Sequence, residues 1–341
     1  MQATIKPEWL KPSIHPAYLR LLCAHLRNQG VDMDTLFKGN SLNWDSLLHT
    51  QRFISFEQFR RLCLNGMALT RCPWLGLEIP SMIQVSAHGP LGYGALAART
   101  VRDAFQLVEQ FLHTRILYCE FALEEHGDKA VFILHEQMDV AELKEFLYVM
   151  LLGSIQDMLV KTSAARLENV TVSLPFPEPV WGHLYAERFA GIAFCFDAPQ
   201  CTIELPATLL DRHCLTGDEF AFRNAARECE QLLALHEGGG ELSEQVKNRL
   251  FDGGAPFPSQ TRMAENFNVS VRTLIRRLKA EHSSYQILLD EVRKELACWY
   301  LQNSDLPIER IAERLGFQDT SNFSRVFRRW LDCKPSEFRQ H

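Results

Sequence analysis

The stretch Ile311–Trp330, "IAERLGFQDTSNFSRVFRRW", decides how this chain is read. It begins as an apolar helix, turns at Gly316, and ends with three arginines set among aromatics. An upstream stretch, Arg262–Leu278, "RMAENFNVSVRTLIRRL", follows the same plan. Both contain Arg-x-Ala-Glu, as Arg262-Met263-Ala264-Glu265 and Arg310-Ile311-Ala312-Glu313, 48 residues apart. In the first copy, Ser259 and Ser270 are suited to cap two successive helices, and Asn268 tolerates the left-handed turn between them. Val271, Leu274 and Leu278 then share an inner face, with Arg272, Ile275, Arg276 and Lys279 opposite at steps of three and four. In the second copy, Pro307 opens the first helix and Asp319 or Thr320 caps the next. Phe323, Phe327 and Leu331 point inward; Ser321, Asn322 and Arg325 lie on the other side. Small Ala264 and Ala312 sit where each pair of helices must cross. One helix that braces and a second that enters the DNA major groove is the logic of the helix-turn-helix.

Between the copies, "SSYQILLDEVRKELACWYLQ" reads as one helix, with Ser283 and Gln286 as its capping box and a stripe of Leu288, Leu289, Val292 and Leu296. About 17 helical residues span roughly 25 Å. Such a strut suits two recognition helices set about one DNA turn, ~34 Å, apart. The duplication therefore predicts an all-α domain, with helix-turn-helix units at 259–280 and 308–331, that reads two successive major grooves. Asparagine pairs with adenine and arginine with guanine through two hydrogen bonds each. The expected base readers are Arg272, Ile275 and Arg276 in one helix and Ser321, Asn322 and Arg325 in the other. Ser270, Thr273, Arg277, Thr320 and Arg328 are assigned to backbone phosphates.

Charge supports this placement. The 341 residues carry a formal net charge of -6, yet Leu242–His341 holds 16 Lys+Arg against 13 Asp+Glu, leaving the excess acid upstream. A basic tail on an acidic body fits a polyanion-binding module joined to a second domain. The run "HEGGGE", 236–241, reads as the flexible joint, so the DNA-binding domain is expected at 242–341. Residues 1–14, broken by prolines, read as a loose terminus. The domain at 15–235 begins with helices, one opened by a Ser55–Gln58 capping box and another covering Thr100–Arg115. It continues as strand, strand, helix, strand, helix, strand, strand, with a hairpin at His126-Gly127-Asp128 and Asp139 capping the long helix. That order predicts an α+β fold, a mixed sheet with helices.

Other chemistry has little support. None of the ten cysteines forms Cys-x-x-Cys or stands near histidine at metal-finger spacing, and most lie in apolar stretches, which reads as buried reduced thiols and no metal site. No cofactor fingerprint, phosphate loop or nucleophile elbow is present, so an enzyme is not expected. His88, in the glycine-rich "SAHGPLGYGAL", reads as a packing or turn histidine rather than a ligand-binding one, and Trp181, Phe194 and Phe196 as core. No signal peptide and no apolar run of membrane-spanning length is seen, which predicts a cytoplasmic protein without a membrane partner.

The segments "RTLIRRLKAE", "YQILLDEVRKELA", "IERIAERLGFQDTSNFSRVFRRW" and "KPSEFR" resemble, nearly end to end, the DNA-binding domain of AraC/XylS transcription regulators. "HGPLGYGALAARTVRDAF" and "LYAERFAGIAFCFDAPQCTIELPATLLDR" resemble the arabinose-binding-type sensor domain of the branch related to ornithine-utilisation and virulence regulators. The resemblance implies a ligand-responsive regulator, most often an activator, with double-stranded promoter DNA and RNA polymerase as partners. The family usually has glycine where this chain has His282 and Asp332; both positions end a recognition helix, and both residue types tolerate positive φ. The effector-binding residues are not identified by sequence. A fatty-acid-like, aromatic, small carboxylate or amino-acid effector all suit the composition, and control by a protein partner is the alternative. Leu209, Leu210, Phe220, Phe222 and Leu232 suit either a homodimer interface or packing within their own domain.

Overall fold

The computed structural model describes residues 7–81, 83–163, 168–237, 241–253 and 256–340. Compactness groups the chain otherwise than by one cut at the glycine run. One unit contains residues 1–13, 32–65 and 235–341; the other contains 14–31 and 66–234. Gly238–Gly240, the heart of the expected joint, lie outside the described residues, and His236 and Glu237 end the helix Glu219–Glu237.

The second unit is built on a five-stranded mixed sheet. From one edge the strands run Cys119–His126, Lys129–Glu136, Cys201–Pro206, Val170–Ser173 and Ile192–Cys195. All neighbours are antiparallel except the last pair, which is parallel because the helix His183–Arg188 carries the chain back between them. The hairpin closes with His126 opposite Lys129 around Gly127 and Asp128, as the turn residues require. Lys144–Ser163 is a 20-residue helix buried on most of its circumference. Asp139 Oδ1 accepts from the Ala141 amide at 2.8 Å, at the start of the 3-10 turn that leads into this helix. Thr100 caps Val101–Phe111 through the Asp103 amide. Gly92 is dictated by packing: a Cβ there would lie 1.8 Å from the Val85 carbonyl oxygen.

Tyr185 is core, whereas Phe194 and Phe196, expected there too, are half-buried against it with ring centroids at 5.3 and 5.6 Å, and Trp181 is also half-buried. Trp181 Nε1 and Tyr185 Oη both donate to Glu145, at 2.7 and 2.9 Å. Near the end of this unit Leu210 is buried, Phe222 packs with Leu91, Leu107, Phe111 and Cys229, and Phe220 stands exposed.

The other unit is helical, and its core runs from Leu242 to Phe338 with one distant member, Leu10. The N-terminus is thus not loose over the described residues: Pro7–Leu10 is a helix and Pro12–Ile14 a strand, and Trp9 packs against Phe56 at 5.6 Å. Burying Leu10 and Trp9 outweighs the local breaks introduced by proline. The Ser55–Gln58 capping box forms, and Gln58 Nε2 reaches onward to Ser41 Oγ (2.9 Å) and Glu295 Oε1 (3.2 Å). Among the described residues no helix is long and apolar enough to cross a membrane.

Candidate nucleic-acid interface and internal cavity

Each Arg-x-Ala-Glu opens the same local structure. Gln260–Asn266 and Ile308–Arg314 are the bracing helices, with Met263 and Ala264, then Ile311 and Ala312, buried at the crossings. Within them Arg262 pairs with Glu265 (3.0 Å) and Arg310 with Glu313 (2.8 Å). The chain then turns through Asn268 (φ 52°) and Gly316 (φ 70°), 48 residues apart, where the carbonyls of Ala264 and Ala312 each accept an amide at 3.0 Å.

Ser270 caps Val271–Ala280 and Asp319 caps Thr320–Leu331; each side chain accepts from the amide three residues on. The inner faces bury Leu274 and Leu278, then Phe323 and Phe327. The residues expected to read bases fall on the opposite faces: Arg272, Ile275, Arg276, Ser321 and Arg325 are exposed, and Asn322 is half-buried. Arg276 and Arg325 are equivalent, each six residues beyond its cap. Arg325 Nη2 donates to Asn322 Oδ1 at 3.2 Å, so the two side chains form one surface. Ile275 keeps 49% of its surface exposed, unusual for isoleucine and apt for a thymine methyl. Of the residues assigned to phosphates, Arg277 and Arg328 are exposed and Ser270 is an exposed cap; Thr273 and Thr320 are half-buried in the first turns. Among the described residues, Arg272, Arg276, Arg277, Arg325 and Arg328 have no carboxylate within ion-pair distance, whereas Arg262 and Arg310 do; Arg314, which ends the second bracing helix, lies over the Tyr300 ring.

Tyr285–Asn303 joins the two copies. Its cap is Ser284, whose side chain accepts from the Ile287 amide, and not Ser283, whose buried hydroxyl has no partner. The left-handed His282 (φ 54°) advances the chain by one residue and places Ser284 at the cap. Asp332 (φ 55°) is likewise left-handed where glycine is customary. Sequence reasoning missed Arg293 in this connecting helix. Its Nε donates to the Leu315 carbonyl (2.9 Å) and its Nη2 to that of Gly316 (3.3 Å), while its guanidinium covers Phe317. Arg293 thereby fastens the second turn to the strut.

In the sheet-containing unit, a cavity of about 90 Å³ is lined almost wholly by apolar side chains, including Phe105, Leu112, Phe132 and Met158. Its polar lining includes Tyr18 and His88, with Tyr18 Oη and His88 Nδ1 hydrogen-bonded at 2.7 Å. Burial, and then the Arg115 charge, push the His88 imidazole down to about 4, so it is neutral at pH 7. Burial pushes the Tyr18 hydroxyl up, with Arg115 opposing. The sequence signal for this cavity was the histidine in a glycine-rich stretch, which reads more readily as a turn.

Residues 30–214 match the arabinose-binding N-terminal domain of AraC transcription regulators, and residues 263–341 match a helix-turn-helix domain. The ornithine utilization regulator of Pseudomonas aeruginosa is 30% identical over 324 residues, 95% of each chain. The regulator VqsM of the same species is 31% identical over 273 residues, 77% of this chain and 83% of that one. The crystal structure of the transcriptional regulator CdpR from Pseudomonas aeruginosa is 25% identical, with 95% of this chain and 98% of that chain covered and a TM-score of 0.49. With both domains matched and a relative spanning nearly its whole length, the chain belongs to the AraC family of DNA-binding transcription regulators.

Proposed function

We propose that this regulator is a ligand-responsive activator that lays Val271–Ala280 and Thr320–Leu331 in successive major grooves of promoter DNA. The observation that carries the reading is the set of exposed arginines without a carboxylate partner on both recognition helices, set against Arg262 and Arg310 of the repeated Arg-x-Ala-Glu, which are paired. Unpaired exposed cations cost nothing to present to a polyanion, and their release of counterions drives binding. Arg272, Ile275, Arg276, Ser321, Asn322 and Arg325 read bases; Ser270, Thr273, Arg277, Thr320 and Arg328 hold phosphates. A small-molecule effector enters the cavity of the sheet unit. The preferred site is found by selecting duplexes from a random library with the full chain. On that site Arg276→Ala and Arg325→Ala are each expected to cost roughly 1–3 kcal/mol and to relax one position. Arg328→Ala is expected to weaken all sequences alike and flatten the salt dependence. Unchanged affinity and preference in both base-reader variants would overturn the assignment.

A further inference from the structure

The chemical class of the effector is written beside the cavity. Arg115 is 5% exposed, yet among the described residues it has no carboxylate within ion-pair distance. Its Nη2 donates to the Ala87 carbonyl at 2.9 Å, its guanidinium lies 5.4 Å from the centre of the Tyr18 ring, and its buried Nε has no partner. A guanidinium held out of water without a counterion is costly, and folds avoid it unless the charge serves something. Arg115 acts electrostatically on both Tyr18 and His88, the hydrogen-bonded pair that lines the cavity. Glu109 lines the cavity too, but it is exposed and accepts from the Leu123 amide at 3.1 Å.

We propose that the cavity receives a small apolar monocarboxylate, with its hydrocarbon among the apolar lining and its carboxylate at Tyr18 and His88 under the charge of Arg115. The inference rests on the sensor reading above and narrows it. The Tyr18 hydroxyl donates to the carboxylate, and Arg115 supplies the missing counter-charge. An added ammonium group, as in an amino acid, meets the same positive field and is disfavoured. The size also restricts the ligand. A dry cavity of about 150 Å³ holds benzene, and this one, at about 90 Å³, is smaller, so acids of about four carbons are the appropriate probes.

Calorimetric titration of the full chain with butyrate, butanol, butylamine and 4-aminobutyrate tests the proposal. Butyrate is expected to bind at least about tenfold tighter than butanol, the margin of a charge-assisted hydrogen bond, and butylamine and 4-aminobutyrate more weakly than butyrate. Tyr18→Phe and Arg115→Met should bring the acid-to-alcohol ratio close to one while butanol still binds, and Arg115→Lys should keep the preference. Tyr18→Phe removes only the hydroxyl, so it remains informative if Arg115→Met fails to fold. Equal affinity for butyrate and butanol in the native chain, no binding of butyrate, or tighter binding of 4-aminobutyrate overturns the carboxylate assignment and leaves the sensor reading standing. The sensor reading itself falls only if no compound of any class that binds the chain changes its DNA affinity.

Discussion

His88 ionises near pH 4 in the folded chain, while an unconstrained histidine does so near 6.5. Between those values the unfolded chain binds the proton and the folded chain does not. Stability from this residue is therefore complete above about pH 6.5 and is lost as the pH falls towards 4. One pKa unit is worth 1.36 kcal/mol, so the loss is about 3 kcal/mol. In His88→Gln, the urea midpoint of the sheet unit should fall less between pH 7 and 4 than it does in the native chain. A decline as steep as the native one would show that another group sets the acid limit. At the DNA face the exposed side chains of Arg276 and Arg325 were legible from residue type and spacing alone, because an exposed helix face depends only on local periodicity. Arg115 was not legible, since a missing counter-charge is a property of the folded environment.

Helix ends show the same contrast between local and distant causes. Ser259, Ser270 and Asp319 cap as their positions before apolar helices predict, because a capping hydrogen bond spans only three residues. The Ser283–Ser284 pair is locally ambiguous, and the left-handed His282 decides it in favour of Ser284. Ser284→Ala should cost about 1 kcal/mol of local stability, which corresponds to roughly fivefold faster hydrogen exchange at the Ile287 amide. Ser283→Ala removes a buried hydroxyl without a partner and should be neutral or stabilising. The reverse order of effects would return the cap to Ser283. The succession of strands along the chain was readable from period-two patterning and turn residues, whereas the insertion of Cys201–Pro206 between Lys129–Glu136 and Val170–Ser173 was not, since it depends on distant pairing; the parallel final pair follows from the helix between those strands. The assignment of residues 32–65 to the helical unit was not readable. It depends on bonds such as Gln58 to Glu295, whose partners lie 237 residues apart.

Across the whole molecule the chain passes between its two compact units at Ser13–Ile14, Val31–Asp32, Asn65–Gly66 and Ala234–Leu235. The third crossing falls inside the continuous helix Phe56–Thr70. An effector signal thus has covalent routes other than the glycine run, and a flexible joint alone transmits no force. A fragment covering 241–341 separates these contributions. It retains every buried member of the helical core except Leu10. It loses Lys11 from Asp252, Arg52 from both Glu241 and the Glu281 carbonyl, Gln58 from Glu295 and Gly39 from Gln302, polar contacts whose remaining partners can turn to water. The fragment should therefore fold, show a helical circular dichroism spectrum and bind the selected duplex, but unfold at lower urea than the same unit in the full chain. In the full chain Leu10→Ala should reproduce part of that loss, about 2–5 kcal/mol for a buried leucine. The fragment's DNA affinity should be indifferent to any compound that changes the affinity of the full chain, since a ligand shifts only an equilibrium whose states it distinguishes. A fragment that is unfolded in isolation would instead make residues 1–13 and 32–65 an integral part of the DNA-binding unit, and would move the link between effector and DNA from the glycines to those segments.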